Sequence, residues 1–454
     1  MSFWGLMAEE SQRISKRDSS PAGSEWQILD IFMKIIADFH IHSKYSRATS
    51  PQMNLENISQ AAQTKGAQVI STGDFTHPAW FRELKDKLKP AETGLFKLKT
   101  KNEKIKDEEE TRFILTTEIS CIYSKNGKVR KTHILIFAPD LATVEKINTR
   151  LTTIGNLKAD GRPILGLDAK NLLKIVLEIN PDCLVVPAHC WTPWFAVFGS
   201  KSGFDSLEEC FEEQIKNIFA VETGLSSDPA MNWQLSSLDK VALISCSDAH
   251  SAPKIGREAC VFDTELSYPA IIEAIKSKNP KKFLCTIEFF PEEGKYHYDG
   301  HRLCNVRLSP AETKKYRGLC PVCGKPLVIG VASRVAALAD RPEGFAPPQA
   351  IPYKRLIPLS QVVSEVLGVG EASKRVQEIY QRLISKLGPE LAILIDCPLS
   401  GIEKVGGSAL ALAIQKMRAG QVNIEPGYDG VYGQISILSA NGRKDLGDRQ
   451  GLLF

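Results

Sequence analysis

A chain of 454 residues, 43% apolar and 24% charged, holds enough material for two or three domains that bury their own cores without staples. The net charge of +4 is too mild to mark a nucleic-acid binder by itself, and the absence of any apolar run near the roughly 18 residues of a helical span excludes that class of membrane protein. Eleven cysteines, several inside apolar runs (Cys183, Cys246, Cys285), read as reduced thiols of a cytoplasmic protein rather than a disulfide framework.

Residues 1–33 mix Glu, Arg, Ser and Pro with no continuous apolar stretch, so a disordered tail is expected there and not a signal peptide. Short runs rich in β-branched residues follow. Ile35 to Phe39 leads into His40-Ile41-His42, and Val69 to Thr72 leads into Gly73-Asp74 and on to His77. Phe113 to Thr117 leads into Glu118, Leu184 to Ala188 into His189, Ile218 to Val221 into Glu222, and Val241 to Cys246 into Asp248-Ala249-His250. Apolar runs of this length between helical stretches read as buried parallel strands. Polar residues at the C-terminal ends of many such strands are the pattern of an α/β barrel, where all those ends meet on one rim. His133 departs from it by preceding its run, Ile134 to Phe137.

Six of the eight histidines fall between residues 40 and 250, beside these runs. His-x-His in an extended segment puts both imidazoles on one face, and Asp248-x-His250 does the same. Facing pairs of this kind make a metal cradle, and the imidazole and carboxylate mix suits zinc, manganese or iron without deciding among them. Lys44 and Arg47, just past the histidine pair, are placed to grip a substrate phosphate.

A different pattern follows. His301-x2-Cys304-x15-Cys320-x2-Cys323 has the spacing of a structural zinc site, with Pro321 and Gly324 supporting a tight turn and His297 as a competing ligand. Lys314, Lys315 and Arg317 make the segment between the knuckles basic. A Pro-rich link, Asp340 to Pro348, introduces helical stretches. Within them Val366-Leu367-Gly368-Val369-Gly370 and Ile402-Glu403-Lys404-Val405-Gly406-Gly407 resemble the hairpins of helix-hairpin-helix modules, whose backbone N–H groups meet phosphates. The loop Pro426 to Gly433 joins Gly, Asp and Tyr428 in a tight turn. The expected organisation is a tail (1–33), a metal-dependent barrel (34–290), a zinc-binding module (291–340) and a mostly helical DNA-binding domain (341–454).

Asp38-Phe39-His40-Ile41-His42-Ser43, Gly73-Asp74, Glu118, His133, His189 and Ser247-Asp248-Ala249-His250 together resemble the PHP superfamily, the polymerase and histidinol phosphatase phosphoesterases. That resemblance implies an α/β fold, a distorted (β/α)7 barrel holding two or three divalent metals. It implies that Glu118 bridges two of them, with His40, His42 and Asp248 on one, His133 and His189 on a second, and Asp74, His77 and His250 on a third. It also implies metal-assisted hydrolysis of a phosphoester without a Ser or Cys nucleophile, with Glu118, Asp248, His250 and His189 as catalytic residues. Within the superfamily, Pro187-Ala188-His189-Cys190-Trp191-Thr192-Pro193-Trp194-Phe195, Tyr296 to His301, the knuckles and Pro426 to Gly433 are similar to the endonuclease Q family. That likeness implies cleavage 5′ to a deaminated base (uracil, hypoxanthine, xanthine) or an abasic site, in double- or single-stranded DNA, with Trp191, Trp194 and Tyr428 against the substrate. A replication clamp or helicase is a candidate protein partner.

Two other classes fit part of the pattern: a PHP phosphatase for small molecules and a non-catalytic DNA-binding accessory. A small substrate has no use for the zinc module and the long C-terminal region, and an accessory protein has no use for an intact ligand set.

Overall fold

Alternation with period two decides how the short apolar runs are used in the computed structural model, which describes residues 34–99 and 110–438; the expected tail lies outside the described residues. β1 (Ile35–Asp38) pairs in parallel with β2 (Val69–Ser71). A hairpin of β3 (Leu88–Pro90) and β4 (Phe96–Leu98) meets β5 (Arg112–Lys125), which pairs in parallel with β2. β6 (Lys128–Ala138) runs antiparallel to β5, while the short β7 (Ile164–Leu165) lines up parallel to β5. β6 also pairs antiparallel with β8 (Leu184–Pro187). Beside β8 lies β9 (Ala220–Glu222), paired in parallel with β10 (Ala242–Ile244). The ring returns through β11 (Ala259–Phe262), antiparallel to both β1 and β12 (Phe283–Glu288).

Val69, Ile114, Leu135, Phe137, Leu184 and Val186 form one core with Phe39, while their sequence neighbours Ile70, Phe113, Leu115, Ile134, Ile136 and Val185 join another. Helices α1 (Leu55–Lys65), α2 (Pro78–Lys87), α3 (Leu141–Thr152) and α4 (Ala169–Ile179) cover the second set with apolar stripes such as Leu55, Ile58 and Ala62. α5 (Tyr268–Ser277) adds Tyr268, Ile271 and Ile275 to the first. Phe39 is fully buried and packs edge-on against Phe137 at 5.4 Å. Such burial is worth roughly 1.5–3 kcal/mol, and it fixes the depth at which His40 emerges.

The backward run of β6 accounts for His133. A residue before the apolar core of an antiparallel strand lies at the same rim as residues after the core of parallel ones. His133 stands opposite Ser120 on β5, with Leu135 opposite Glu118.

β13 (Asp299–His301) and β14 (Val306–Leu308) form the hairpin of the first knuckle, and α6 (Val331–Leu338) packs back on the barrel core. β15 (Tyr353–Arg355) then pairs in parallel with β12, so the C-terminal region is stitched to the barrel sheet. The described chain from Lys34 onward is one compact unit. Beyond β15, α7 (Leu359–Leu367) and α8 (Lys374–Leu387) flank a turn at Gly368, whose φ of 66° suits glycine. α9 (Glu390–Ile395) leads to α10 (Leu399–Gly406) and α11 (Ser408–Arg418), which meet at Gly407. α7 packs on α8 and α11, and α10 packs on α11 and α8, so the two hairpins form a mutually packed pair over a third core. A buried ion pair ties this pair to the barrel: Lys65 Nζ lies 2.5 Å from Glu390, which also accepts from Tyr380 Oη at 2.6 Å. The chain ends its described course with the hairpin β16 (Asn423–Glu425) and β17 (Gln434–Ser436).

Candidate metal centre

The segment after β1 runs beside residues 248–250. Ile41 bridges Ala249 in parallel, and the His42 N–H donates to the Ala249 carbonyl at 2.9 Å. His42 Nε2 lies 3.1 Å from Asp248 Oδ1, and His40 Nε2 lies 3.7 Å from it. Glu118 shares the inward parity of Ile114 on β5. Its Oε2 lies 3.4 Å from His40 Nε2 and 3.2 Å from His42 Nε2, while Oε1 lies 2.7 Å from His133 Nδ1 and 2.9 Å from His189 Nε2. Two sets result, His40–His42–Asp248 and Glu118–His133–His189, each with its ligand atoms within 4.8 Å of one another. One carboxylate faces both.

These atoms fit divalent cations. His40 Nε2, His42 Nε2 and Asp248 Oδ1 are buried and have no hydrogen-bond partner. Leaving such groups unmet costs about 1–3 kcal/mol each, and a cation between them would meet all three. Burial opposes charge on His40, yet the carboxylates of Glu222, Glu118 and Asp248 raise its pKa well above the usual imidazole range. Burial likewise opposes ionisation of Glu118, but His133, Arg162 and His40 hold its carboxyl well below the usual range. Burial pushes His133 down to about 4, despite Glu118.

Sequence reading assigns no role to two residues that shape this centre. Glu222, fully buried at the end of β9, meets His40 Nδ1 at 2.9 Å and accepts the His189 N–H at 2.7 Å. A carboxylate accepts only, so Nδ1 carries a proton, and a cation bound at Nε2 would take the place of the second one. It ends an apolar run just as the other site residues do, and that is its available signal. Arg162 reaches in from the loop before β7, with Nη1 3.1 Å from Glu118 Oε2. Nothing in its loop sequence marks it. Strain is stored here too: Asp74, His189 and Asp248 have φ of 49°, 30° and 46°, conformations costing on the order of 1–3 kcal/mol for non-glycine residues. Gly224 lets His189 sit this way, since a Cβ there would overlap the His189 Cβ.

The residues expected to form a third set are not gathered into one. Asp74 spends one oxygen on His42 Nδ1 at 3.0 Å and the other on Ser43 N, Ser43 Oγ and Ser46 Oγ, so it orients His42 as Glu222 orients His40. His77 caps α2, its Nδ1 accepting from Trp80 N, and its ring stacks on Tyr45 at 4.4 Å. Two intervening residues and the helix start carry it away from Asp74. His250 stays at the rim, its ring 4.5 Å from that of His42. Of the cations, Lys44 is paired with Glu83 at 2.8 Å, while Arg47 is exposed. The aromatic expectations divide. Trp191 is 1% exposed, stacks on Phe198 and donates to Asn232, so it is core and not a base contact. Tyr428 is also buried, with its hydroxyl on Asn305 at 2.7 Å. Trp194 is exposed.

In the knuckle, His301, Cys304, Cys320 and Cys323 bring their ligand atoms within 4.8 Å of one another, and Cys323 Sγ lies 3.3 Å from His301 Nδ1. His297 stands outside this set. Burial opposes the Cys320 thiolate, but the backbone N–H groups of Cys323 and Val322 hold the thiol down to about 6. The apolar support is small, chiefly Val306, Leu308, Cys320 and Leu327. One imidazole and three thiols at these distances would suit a divalent cation, whose binding would supply the folding energy that so small a core lacks.

Fold and centre define an α/β barrel with two adjoining candidate metal-binding sets, a knuckle module and a paired-hairpin C-terminal region. Residues 358–421 match the family model described as the MJ0043 C-terminal domain. Protein MJ0043 of Methanocaldococcus jannaschii is 34% identical over 277 residues, which are 57% of this chain and 33% of that protein, so the chain spans about a third of that relative's length. The crystal structure of the lesion-specific endonuclease PfuEndoQ from Pyrococcus furiosus is similar at a TM-score of 0.79 and 31% identity, over 90% of this chain and 96% of that one. Endonuclease Q in complex with a 27-mer duplex carrying an abasic lesion at the active site is similar at a TM-score of 0.78 and 31% identity, over 91% and 98%. The chain belongs to the endonuclease Q family.

Proposed function

We propose that this chain is a metal-dependent DNA-repair endonuclease that hydrolyses the phosphodiester 5′ to a deaminated base (uracil, hypoxanthine, xanthine) or an abasic site. The observation that carries the reading is the Glu118 carboxylate facing both histidine sets beside three unpartnered buried ligand atoms. The named substrate of the endonuclease Q complex, a duplex with an abasic lesion, supports the substrate class.

His40, His42, Asp248 and Glu118 would hold one divalent cation, and Glu118, His133 and His189 a second; zinc, manganese, iron and magnesium are the candidates. When bound there, such cations supply Lewis acidity, neutralising charge on the phosphoryl group and activating water near neutral pH. The protein's own residues do the rest. Glu222 and Asp74 fix the tautomers of His40 and His42. Arg162, anchored on Glu118, keeps donors for a non-bridging phosphate oxygen. His250 at the rim is placed to pass a proton to the leaving oxygen. Cys190 and Cys246, next to the site residues, do not compete as nucleophiles: burial, with Glu222 adding to it, pushes both well above the usual thiol range. The knuckle would hold one structural zinc. Among the described residues no helix is long and apolar enough to cross a membrane. The reading places the enzyme on DNA in the cytoplasm, alone or beside a clamp or helicase.

The test uses end-labelled duplexes with a single uracil, hypoxanthine, xanthine or abasic site, with manganese, zinc and magnesium compared. A metal-dependent nick on the 5′ side of the lesion is expected. Equal cutting of undamaged duplex, or no cutting with any metal, overturns the reading.

A further inference from the structure

Aromatic rings, two of them exposed and two half-buried, follow one another by pairwise contact from His133 of the metal centre. Phe195 packs against His133, ring centroids 4.7 Å apart. Its neighbour Trp194 is 45% exposed and meets the half-buried Tyr296 edge-on at 5.8 Å. Lys295 then holds its Nζ 5.8 Å from the Tyr296 ring and 5.6 Å from that of Tyr432, which is 71% exposed. The rings come from three separate stretches of chain: the loop after His189, the approach to the knuckle, and the loop between β16 and β17.

None of this exposure is slack. The 426–433 loop is bolted to residues 292–305. Gly427 N donates to the Glu292 carbonyl at 2.8 Å, Gly430 N to that of Lys295 at 2.8 Å, and Gly433 N to that of Glu293 at 3.0 Å. Arg302 N donates to the Asp429 carboxylate at 2.7 Å, and buried Tyr428 binds Asn305. A Cβ on Gly433 would overlap the Glu292 carbonyl. The Trp194 loop is held in turn by the His133 N–H on the Phe195 carbonyl at 2.9 Å and by Lys201 N on that of Pro193 at 3.0 Å. Rigid exposed aromatics lose little entropy when a flat partner covers them. Cations lie against the rings: Lys295, and Lys131 at 5.4 Å from the Phe195 ring, with Arg302 beside Gly430 of the same loop. Cations alternating with open aromatic faces suit a polyanion that carries planar bases. The nearby Asp429 carboxylate is taken up by the Arg302 N–H.

We propose that Trp194, Tyr296 and Tyr432, with Lys295 between the last two rings, form a stacking platform for unpaired DNA bases flanking the cleaved bond. The inference rests on the endonuclease reading and deepens it. A lesion must leave the helix to reach the metals, and a platform that holds neighbouring bases unpaired lowers the cost of that step.

Binding to undamaged oligonucleotides tests it. The full chain is titrated with a single strand carrying 2-aminopurine and with the fully paired duplex of the same sequence. Tyr432→Ala and Trp194→Ala should each weaken single-strand binding roughly tenfold and reduce the 2-aminopurine quenching. Duplex affinity should stay within about twofold, and Tyr432→Phe should restore both readouts. Zinc content and thermal melting report that each variant is folded. Unchanged single-strand affinity and quenching in both alanine variants overturns the platform, as does equal weakening for single strand and duplex. Because no lesion is used, the two readings fail separately. Single-strand binding through these rings with no nicking of lesions sinks the endonuclease alone, and nicking with ring variants that bind normally sinks the platform alone.

Discussion

Replacing Glu222 with Gln removes one charge and changes one proton, and the structure says which. Both Glu222 oxygens lie near His40 Nδ1, at 2.9 and 3.1 Å, and Oε2 also accepts the His189 N–H at 2.7 Å. An amide has one acceptor and one donor end. If its oxygen keeps the His189 N–H, its nitrogen faces His40 Nδ1 and donates to it. The proton then moves to His40 Nε2, which points at Asp248 and Glu118 and can no longer ligate. If the amide turns over, the His189 N–H is left buried without an acceptor. Either way one demand fails. Partners of this kind are worth about 10–100-fold in metal affinity or activity, or about 1.4–2.8 kcal/mol. Competition with a chromogenic chelator should show weaker metal binding by Glu222→Gln by that factor, with nicking partly recovered at high metal. Affinity equal to the parent chain would refute the tautomer argument.

Other parts of the fold give equally definite outcomes. Lys65→Met leaves the Glu390 carboxylate buried with no cation, which should cost about 3–5 kcal/mol in urea unfolding; Lys65→Met with Glu390→Gln should recover much of it, and a loss below about 1 kcal/mol in the single variant contradicts a buried latch. Burial, despite Thr286, raises Glu288 to about 8. The folded state therefore holds this proton more tightly than the unfolded chain, so the contribution of Glu288 to stability is fully present below about 4.5 and is lost as pH rises through 8. Glu288→Gln, which copies the protonated form, should flatten that slope in melts taken across pH at fixed metal, and an unaltered slope removes Glu288 as its source. Cys320→Ser should cost the protein one zinc by elemental analysis and expose residues 299–327 to protease, and full zinc content would mean that the ion is held elsewhere.

How much of this is readable before folding depends on what each residue needs. Glu118 lies within β5, and strand parity sends it inward; His40, His42, His189 and Asp248 follow apolar runs and stand just past strand ends, His189 and Asp248 in left-handed turns. Their convergence follows from the barrel. His133 needs the direction of β6, which no local pattern supplies, because a reversed strand and a parallel one share the same alternation. Trp191 and Trp194 differ by three residues and have opposite fates, since the turn after His189 buries the first on Phe198 and leaves the second in solvent. Tyr428 and Tyr432 divide in the same way across one tight loop. His77 reads as a ligand because histidine near Asp74 suits metal, but the same side chain also caps a helix, and the turn geometry chooses the cap. Arg162 lies in a loop whose path is set by contacts far away in sequence. The knuckle is the most legible element, because its spacing is itself the geometry.

Anomalous diffraction from crystals loaded with manganese tests the metal centre directly. Two peaks are predicted inside the barrel, one bounded by His40, His42 and Asp248 and one by His133 and His189, with Glu118 between them. Asp248→Asn should lose the first peak and abolish nicking together. Peaks at some other place on the molecule, or an Asp248→Asn variant that still cuts lesion DNA at the parent rate, would contradict the assignment of the chemistry to this centre.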